Sequence, residues 1–332
     1  MRRHLLLTAS TLTAAVLVLA GCGSAGSSGT EAPASSASGA GCAPVAGNTL
    51  VVLTDDKHLQ NTDNVVPAIN KKASSPQLIA ALDKVSAALD TTKLIALNKA
   101  VDIDRKSSKA AAQEFATANN VTSGIEKGSG GAITIGAANF SENATLGELY
   151  AIALTAAGYT VKVQQIGNRE LYEPALEKGQ LQVVPEYAAT LATFLSGKVD
   201  GKNAKDPSSS DLNTTMTNLK ALGDKVGLVF GTPSQAQDQN AFAVTKEFSD
   251  KYAVKTLSDL AAKCSGAATV LGGPPECPQR PKCQQGLVQT YNFKAGKFSS
   301  LDAGGPLSKT ALKQGTASVA LVFSSDGALA AG

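Results

Sequence analysis

Apolar residues along the chain follow two kinds of pattern. Short apolar runs bounded by polar or glycine-rich turns are typical of buried strands, and they predict strands at 50–53, 133–135, 160–165, 183–184, 227–230, 241–244, 268–271 and 319–323. Longer stretches predict helices at 75–89, 93–101, 108–119, 144–157 and 172–178; in the first, apolar residues recur at i, i+3 and i+4 on one face. Because strands and helices alternate, the sequence indicates an α/β protein with covered sheets.

Two segments lack such patterns. Residues 23–41 are almost entirely glycine, serine, alanine and proline, a composition that buries too little apolar area to fold. Residues 127–131 (KGSGG) form a second glycine-rich stretch. We expect a flexible tether before the folded part, with bounds 22–47, and a flexible joint at 127–131.

The N-terminus has the features of an export signal. Arg2 and Arg3 precede an apolar stretch from Leu5 to Ala20, and small residues lead up to Cys22. The ending Leu-Ala-Gly-Cys resembles the bacterial lipobox, in which the cysteine is acylated and becomes the first residue. A membrane-spanning anchor is the alternative, but about 16 residues falls short of the roughly 20 that a spanning helix needs. We predict a lipoprotein signal peptide at 1–21 and lipidation of Cys22.

Composition narrows the possible partners. The formal net charge is +3, and removing the signal leaves 28 basic and 27 acidic residues. So balanced a chain is not expected to bind nucleic acid. The roughly 285 residues after the tether are enough for one large core or two lobes.

Four cysteines remain after Cys22, and in an exported chain they predict two disulfides with three possible pairings: Cys42, Cys264, Cys277 and Cys283. A zinc site would want Cys-x2-Cys pairs or nearby histidines, and the chain has only His4 and His58. The spacing here is Cys-x5-Cys. We therefore expect no metal site and no cofactor.

The chain lacks a phosphate-binding loop and a serine or cysteine nucleophile with an adjacent base. A phosphate-binding loop needs Gly-Lys-Ser/Thr after its glycines, and KGSGGA lacks it. A serine or cysteine nucleophile needs an adjacent base. His4 falls within the signal, and His58 lies in an Asp-Asp-Lys-His turn that we expect to be exposed. On these grounds we do not expect an enzyme.

From Ile133 onward the sequence resembles the substrate-binding subunits of osmoprotectant (glycine betaine, choline, carnitine) ABC importers. Five stretches carry the resemblance in family order: ITIGAANFSENATLGELYA, YEPALEKGQLQVVPEY, DQNAFAVTKEFSDKYAVKTLSDLA, GGPPECPQRPKCQQGLVQTY and VFSSDGALAAG. The resemblance implies a bilobed periplasmic-binding-protein-like fold, with two α/β lobes joined by two crossing strands. It implies hinge closure around a small solute, followed by recognition of the closed form by permease subunits.

The order of segments differs from the family's. Residues 48–122, including NTLVVLTDDKHLQNTDNVVPAI, resemble the family's C-terminal segment but stand in front of its first segment. The resemblance therefore implies a circularly permuted chain in which KGSGG joins the old ends; the alternative is two coincidentally similar segments. Termini of such domains often lie close together on the surface, so permutation is tolerated. We expect a continuous first lobe at 63–187 and a second lobe at 188–332 plus 48–62.

The family holds its ligand with tyrosines and an arginine. Quaternary ammonium groups are held against aromatic faces, and a carboxylate on the ligand needs donors. Tyr187, in Pro-Glu-Tyr at the first crossover, matches a family aromatic residue, and Tyr172 lies within one residue of another. Phe242 and Phe323 fall where relatives often have tyrosine. Simple packing in the core remains the alternative for Tyr172 and both phenylalanines.

Polar candidates follow from the same resemblance. Arg280 and Glu276 match an arginine and an acid at the cleft edge, and a solvated arginine is the alternative. Asn139 matches a ligand-contacting loop, where a helix-capping role is equally consistent. We expect all three to contribute to ligand binding.

Three positions depart from the family pattern. Asp63 replaces a tyrosine, Gln182 replaces an aspartate, and Val184 replaces the first tyrosine of a Tyr-Pro-Glu-Tyr motif. Asp63 either favours a cationic ligand or compensates the charge lost at Gln182. Arg169 is an additional donor that could reach a carboxylate.

Two disulfides are predicted, Cys277–Cys283 and Cys42–Cys264. The first closes the short proline-rich loop CPQRPKC, and the second follows from the family map, which places both cysteines in one lobe. Alternatives are Cys264 bonded within the 277–283 loop, or Cys42 bonded to another chain.

We expect a monomeric, lipid-anchored protein on the outer face of the cytoplasmic membrane that binds a quaternary ammonium solute for an ABC permease. Binding a different solute (ergothioneine, an amino acid, another cation) and ligand sensing without transport remain open.

Overall fold

The computed structural model describes residues 39–329, without the side chain of Lys202. The signal peptide 1–21, Cys22 and residues 22–38 of the expected tether lie outside this range. The strands are β1 (Leu50–Val52), β2 (Val65–Asn70), β3 (Ala132–Ala138), β4 (Thr160–Gly167), β5 (Val183–Tyr187), β6 (Leu228–Phe230), β7 (Asn240–Thr245), β8 (Gly266–Gly273), β9 (Ala295–Ser300) and β10 (Val319–Phe323).

The helices surround these strands. They are α1 (Pro76–Ala88), α2 (Thr91–Asp102), α3 (Ser108–Ala118), α4 (Ser141–Ala156), α5 (Arg169–Glu177), α6 (Ala188–Asp200), α7 (Leu212–Val226), α8 (Lys246–Tyr252), α9 (Leu257–Cys264), α10 (Gln284–Tyr291) and α11 (Pro306–Lys313). Short 3-10 helices cover Gly201–Asn203 and Cys277–Gln279. No helix within residues 39–329 combines the length and apolar character needed to cross a membrane.

The strands form two five-stranded mixed sheets, in the orders β4-β3-β5-β2-β6 and β1-β7-β10-β8-β9. In each sheet four strands run in one direction, and one strand, β2 in the first sheet and β7 in the second, runs opposite to them. Parallel strands need both faces covered, and helices supply that cover. The architecture confirms the α/β prediction, with one lobe built on each sheet.

Local sequence signals explain where the first helices begin. Ser75 precedes α1 and its side chain accepts a hydrogen bond from Leu78 N, while Pro76 occupies the first helical position. The apolar face of α1, with Leu78, Leu82 and Val85, is fully buried in the core of the first lobe. The periodicity in the sequence therefore identified the buried face correctly.

Strand β2 was not predicted, because it contains Pro67. A proline within an apolar run usually argues against a central strand. Here β2 pairs with both β5 and β6, and Pro67 lies opposite Pro185. The two prolines form a pair that exchanges no backbone hydrogen bond, and the backbone of Pro67 faces Gly231, beyond the end of β6, whose N donates to Pro67 O at 3.0 Å. The sequence also gave no signal for β9 (AGKFSS), whose half-exposed residues show little apolar character.

The two lobes are connected by a pair of crossing segments. Val65 N donates to Ala236 O at 3.0 Å, and Asp238 N donates to Asp63 O at 3.0 Å. Asn64 and Gln237 form an antiparallel bridge between these hydrogen bonds. The crossover is thus at 63–65 and 236–238, whereas Pro185-Glu186-Tyr187 lies inside the first lobe in β5.

The expected boundary at 187/188 differs from the structure. Helices α6 and α7 pack on the first lobe's apolar cluster, and β6 pairs with β2. Residues 188–230 consequently belong to the first lobe. The sequence-based assignment of 188–230 to the second lobe was wrong because a helix after Tyr187 can cover either sheet, and the choice depends on which strand β6 joins.

Both glycine-rich segments are more ordered than expected. Residues 39–47, assigned to the tether, lie along the second lobe: Ala267 N donates to Gly39 O at 3.0 Å, and Gly47 N donates to Lys313 O at 3.1 Å. Gly41 has φ +72°, and a Cβ there would approach Gly266 to 2.7 Å, so glycine permits the close backbone approach. In 127–131, Gly128 N donates to Ala157 O at 2.8 Å.

Candidate functional site

A cavity lies between the two lobes and is lined by residues from both. Eight of the nine predicted ligand-binding residues line it, namely Asp63, Asn139, Arg169, Tyr172, Tyr187, Glu276, Arg280 and Phe323. They come from β5, α5, the crossover, the loop after β3, the loop after β8 and the end of β10. The structure therefore brings together residues separated by up to 260 positions in the chain.

Phe242 is the exception. Its side chain is 1% exposed and belongs to the apolar core of the second lobe, with Val244 and Leu271. Side chains alternate between the faces of a strand, and the position of Phe242 on β7 directs it to the core face. The expected ligand contact at Phe242 is therefore wrong, and the packing alternative applies.

Five aromatic rings line the cavity: Phe140, Tyr172, Tyr187, Phe194 and Phe323. Phe140 from the first lobe lies 5.2 Å from Phe323 of the second and 6.2 Å from Tyr187, measured between ring centroids. Sequence reasoning missed Phe140 and Phe194. The only available signal for Phe140 was its position beside Asn139.

The hydroxyl groups of both tyrosines are used within the protein. Tyr172 donates to Glu186 Oε1 at 2.9 Å, and Tyr187 donates to Glu142 Oε1 at 2.7 Å. Burial, and then the neighbouring carboxylates, raise the pKa of each phenol above its ordinary value. Both side chains are therefore neutral and held by their oxygens, which fixes the ring orientations at the cavity wall.

Arg169 is engaged by an acid of its own lobe. Its Nε donates to Glu186 Oε1 at 2.9 Å and its Nη2 to Glu186 Oε2 at 2.7 Å, and Nη2 also contacts Thr190 Oγ1. Both members of this ion pair are buried. A two-bond arginine–carboxylate contact is a strong, directional interaction. Arg169 thus positions Glu186 and, through it, the hydroxyl of Tyr172.

Asp63 lies at the start of α6. Its Oδ1 accepts hydrogen bonds from Ala189 N at 2.7 Å and Thr190 N at 3.2 Å, and the side chain is almost fully buried. Burial raises the pKa of Asp63 to about 7, against the opposing effects of the Arg169 charge and the Thr190 and Ala189 hydrogen bonds. Asp63 therefore changes charge near neutral pH.

Asp238, Ser325 and Glu142 form a buried chain between the lobes. Ser325 Oγ lies 2.8 Å from Asp238 Oδ1 and 2.5 Å from Glu142 Oε2, and Asn98 Nδ2 also donates to Glu142 Oε2. A hydroxyl has one hydrogen, so two carboxyl groups on one hydroxyl require a proton on one of them. Burial raises the pKa of both carboxyl groups. Asp238 lines the cavity and was not predicted.

The second lobe contributes two cations, each paired with an acid of the first lobe. Arg280 contacts Glu170 through two hydrogen bonds and lies 3.5 Å from Glu276. Lys282 Nζ lies 2.6 Å from Asp206 and 3.0 Å from Leu59 O. These ion pairs connect the lobes beside the cavity.

Three further residues singled out in the sequence are Asn139, Gln182 and Val184. Asn139 lines the cavity, and α4 has Phe140 as its N-cap with no side-chain cap bond, so the capping alternative does not apply. Gln182 is bonded to Thr134 N and Gly179 O, and Val184 is buried in the first lobe's core. Neither is among the residues that line the cavity.

Both predicted disulfides are present, Cys42–Cys264 and Cys277–Cys283. Cys283 lines the cavity, and Arg280 lies within the six-residue separation that the second bond closes. Cys42 is buried against the second lobe, with its backbone N bonded to Thr269 Oγ1 at 2.7 Å.

Comparisons with known proteins agree on one family. A family described as the substrate binding domain of ABC-type glycine betaine transport system matches residues 43–118 and 131–331. The glycine betaine-binding protein YehZ of Escherichia coli (strain K12) is 27% identical over 60% of this chain and 66% of its own length. A glycine-betaine-binding protein of Pseudomonas aeruginosa is 27% identical over 54% of this chain and 58% of its own.

Among solved structures, an oligopeptide ABC transporter substrate-binding domain from Bacillus anthracis is 12% identical, covering 55% of this chain and 48% of that chain. Its TM-score is 0.27, a value from which no structural relationship is inferred. The chain spans about two thirds and three fifths of the lengths of the two sequence relatives. Because the family match covers most of the chain, this protein belongs to the family of substrate-binding domains of ABC-type glycine betaine transport systems.

Proposed function

We propose that this protein is the extracytoplasmic solute-binding subunit of an ABC importer and that it holds a quaternary ammonium solute between its lobes. The observation that carries the proposal is the cavity lined by five aromatic rings at the lobe boundary. An ammonium carrying methyl groups offers no hydrogen bond, and aromatic faces are the surfaces that attract it. Membership of the glycine betaine family supports the same solute class.

Delivery to the permease follows from hinge closure. The chain passes between the lobes at 63–65 and 236–238, and Arg280, Lys282 and Ser325 of the second lobe contact the first lobe. A solute that contacts both lobes favours the closed form by its differential affinity. Tyr187 and Arg280 face it from opposite lobes. Lipidation of Cys22 would keep this monomeric subunit at the outer face of the membrane.

Thermal unfolding of the purified protein in the presence of candidate solutes tests the proposal. Glycine betaine, choline, carnitine and proline betaine form the test set, and ergothioneine, amino acids and polyamines are the comparison. A solute at 100 times its dissociation constant should add about 2.7 kcal/mol of stability. Stabilisation by the comparison set alone, with no response to quaternary ammonium compounds, would contradict the assignment.

We also propose that the chain is a circular permutation of the family fold. The family matches in two separate segments, 43–118 and 131–331. Strands β1 and β10 both pair with β7, and Leu50 and Leu329 pack against the same apolar cluster. The two ends of the described chain therefore contribute to neighbouring parts of one lobe.

Reordering the chain tests the permutation. A variant in which residues 131–329 precede 42–118 through a short linker, so that the Cys42–Cys264 disulfide is kept, should fold and bind the same solute with unchanged affinity. A control that moves the boundary into α4, for example a start at 148, should not fold. If the reordered chain did not fold while the wild type did, the chain would not be a circular permutation of the family fold.

A further inference from the structure

We propose that the cavity selects a cation that bears no carboxylate, such as choline, over a zwitterionic betaine, and that Asp63 and Asp238 are the residues that decide this. The inference rests on the proposed function and specifies its solute. Glycine betaine and choline share the trimethylammonium group and differ in a carboxylate against a hydroxymethyl group. The charges that line the cavity therefore determine which of the two is accepted.

Two buried carboxyl groups at the cavity have no cation within salt-bridge distance in the described residues, although the charge of Arg169 still lowers the pKa of Asp63. Asp63 is 3% exposed and Asp238 is 4% exposed, and both line the cavity. Within residues 39–329 neither forms a salt bridge; their hydrogen bonds come from backbone N–H groups and hydroxyls. Glu142, behind Asp238, adds a third buried carboxyl group without a salt bridge in the described residues, and burial followed by the charges of Glu142 and Asp63 raises the pKa of Asp238.

Each cation at the cavity, by contrast, already has a carboxylate. Arg169 is bonded twice to Glu186, Arg280 is bonded twice to Glu170 with Glu276 nearby, and Lys282 is paired with Asp206. A solute carboxylate would have to displace one of these partners. It would also enter beside Asp63, which is ionised at pH 8, and beside Asp238, where a further negative charge is unfavourable in a medium of low polarity.

A solute cation meets the opposite situation. Charge buried without a partner is unfavourable, so an entering ammonium compensates Asp63 and Asp238 while its methyl groups contact the aromatic rings. A hydroxyl on the solute can donate to a carboxylate oxygen, whereas a carboxylate on the solute cannot. The residues that line the cavity therefore favour the binding of choline over that of glycine betaine.

Isothermal titration of the wild-type protein with choline chloride and with glycine betaine at pH 8 is the first measurement. We expect choline to bind at least tenfold more tightly. Equal or tighter binding of glycine betaine would overturn the inference and leave the proposed function intact. If neither solute binds at millimolar concentration, it is the proposed function that fails.

Asp63→Asn assigns the preference to a residue. Asparagine keeps an oxygen for Ala189 N and Thr190 N but removes the charge. Choline affinity should fall at least tenfold while betaine affinity is retained or improved. Asp224→Asn, at an exposed surface pair with Lys71, is the matched control and should preserve both affinities. Asp238→Asn provides a second variant, and an unchanged choline-to-betaine ratio in both would refute the assignment.

Discussion

Arg280 of the second lobe and Glu170 of the first lobe form a two-bond salt bridge across the cleft, with Nε–Oε1 at 3.1 Å and Nη2–Oε2 at 2.7 Å. Although partial burial opposes it, the hydrogen bonds and charge of Arg280 hold the pKa of Glu170 below its ordinary value. Arg280 was expected from the family resemblance to face the ligand. Through its contact with Glu170, Arg280 also links the two lobes.

We predict that Glu170→Gln and Arg280→Gln weaken solute binding through the same contact. Both side chains are partly exposed, so the pair should contribute at most about 1 kcal/mol, or roughly fivefold in affinity. In a double-mutant cycle the effects should be non-additive. Asp250→Asn, which breaks an exposed pair within the second lobe, should leave affinity unchanged. Additive losses would mean that Arg280 acts on the solute independently of Glu170.

Tyr187 should contribute mainly through its ring. Tyr187→Ala removes one face of the cavity, and we expect solute affinity to fall by about 1–3 kcal/mol. Tyr187→Phe keeps the ring and loses only the hydrogen bond to Glu142, so its loss should be smaller. Tyr252→Ala, on the far helix α8, is the control. Wild-type affinity in Tyr187→Ala, measured by calorimetry, would remove Tyr187 from the site.

The pKa of Asp63 predicts a dependence of stability on pH. Burial raises the pKa from 3.8 to about 7, so the folded protein retains a proton that the unfolded chain releases. This contribution to stability is complete below the unfolded pKa and is lost as pH rises through the folded one. The slope is at most about 1.4 kcal/mol per pH unit.

Denaturant unfolding of the solute-free protein between pH 4 and pH 8 measures this effect as the difference between wild type and Asp63→Asn. As pH rises, the wild type should lose stability relative to Asp63→Asn. The difference in free energy of unfolding between the two proteins should therefore narrow or change sign. For the wild type, choline affinity should increase with pH until Asp63 is ionised. If the free energies of unfolding of the two proteins changed in parallel with pH, Asp63 would not titrate in this range.

The two disulfides should have separate effects. Cys42–Cys264 joins residues 222 apart, and its loss in the double serine variant should lower stability by about 3–5 kcal/mol. Cys277–Cys283 spans six residues, and its loss should cost about 2 kcal/mol or less in stability while weakening solute binding, because it constrains the loop that carries Arg280. Each double variant is the control for the other. If the two double variants lowered melting temperature by the same amount and solute affinity by the same amount, the assignment of separate effects to the two disulfides would be wrong.

Lipidation is tested on Cys22, which lies outside the described residues. Cys22→Ala should release the protein from the membrane into the soluble extracytoplasmic fraction, because the acylated cysteine is the expected anchor. Fractionation with immunoblotting measures the change, with Cys42→Ala as the control that leaves Leu-Ala-Gly-Cys intact. Membrane retention of the Cys22 variant would exclude this anchor.

The sequence by itself determined the features that depend on near neighbours or on composition. The apolar face of α1 and the short apolar strands arise from local periodicity, and the structure contains them. The family resemblance, carried by five short stretches, led to the α/β lobes, the two disulfide pairings and most of the cavity wall.

Only the tertiary structure decided how distant groups pair. Pro67 is accepted in a central strand because its backbone faces Gly231, beyond the end of β6, and residues 188–230 join the first lobe because β6 pairs with β2. Phe242 faces the core, and Arg169 is satisfied by Glu186. Periodicity reports the environment of one element, whereas the charge left at the cavity depends on which carboxylates reach which cations across the folded chain. That balance, which leaves Asp63 without a salt bridge among residues 39–329, has no local signature in the sequence.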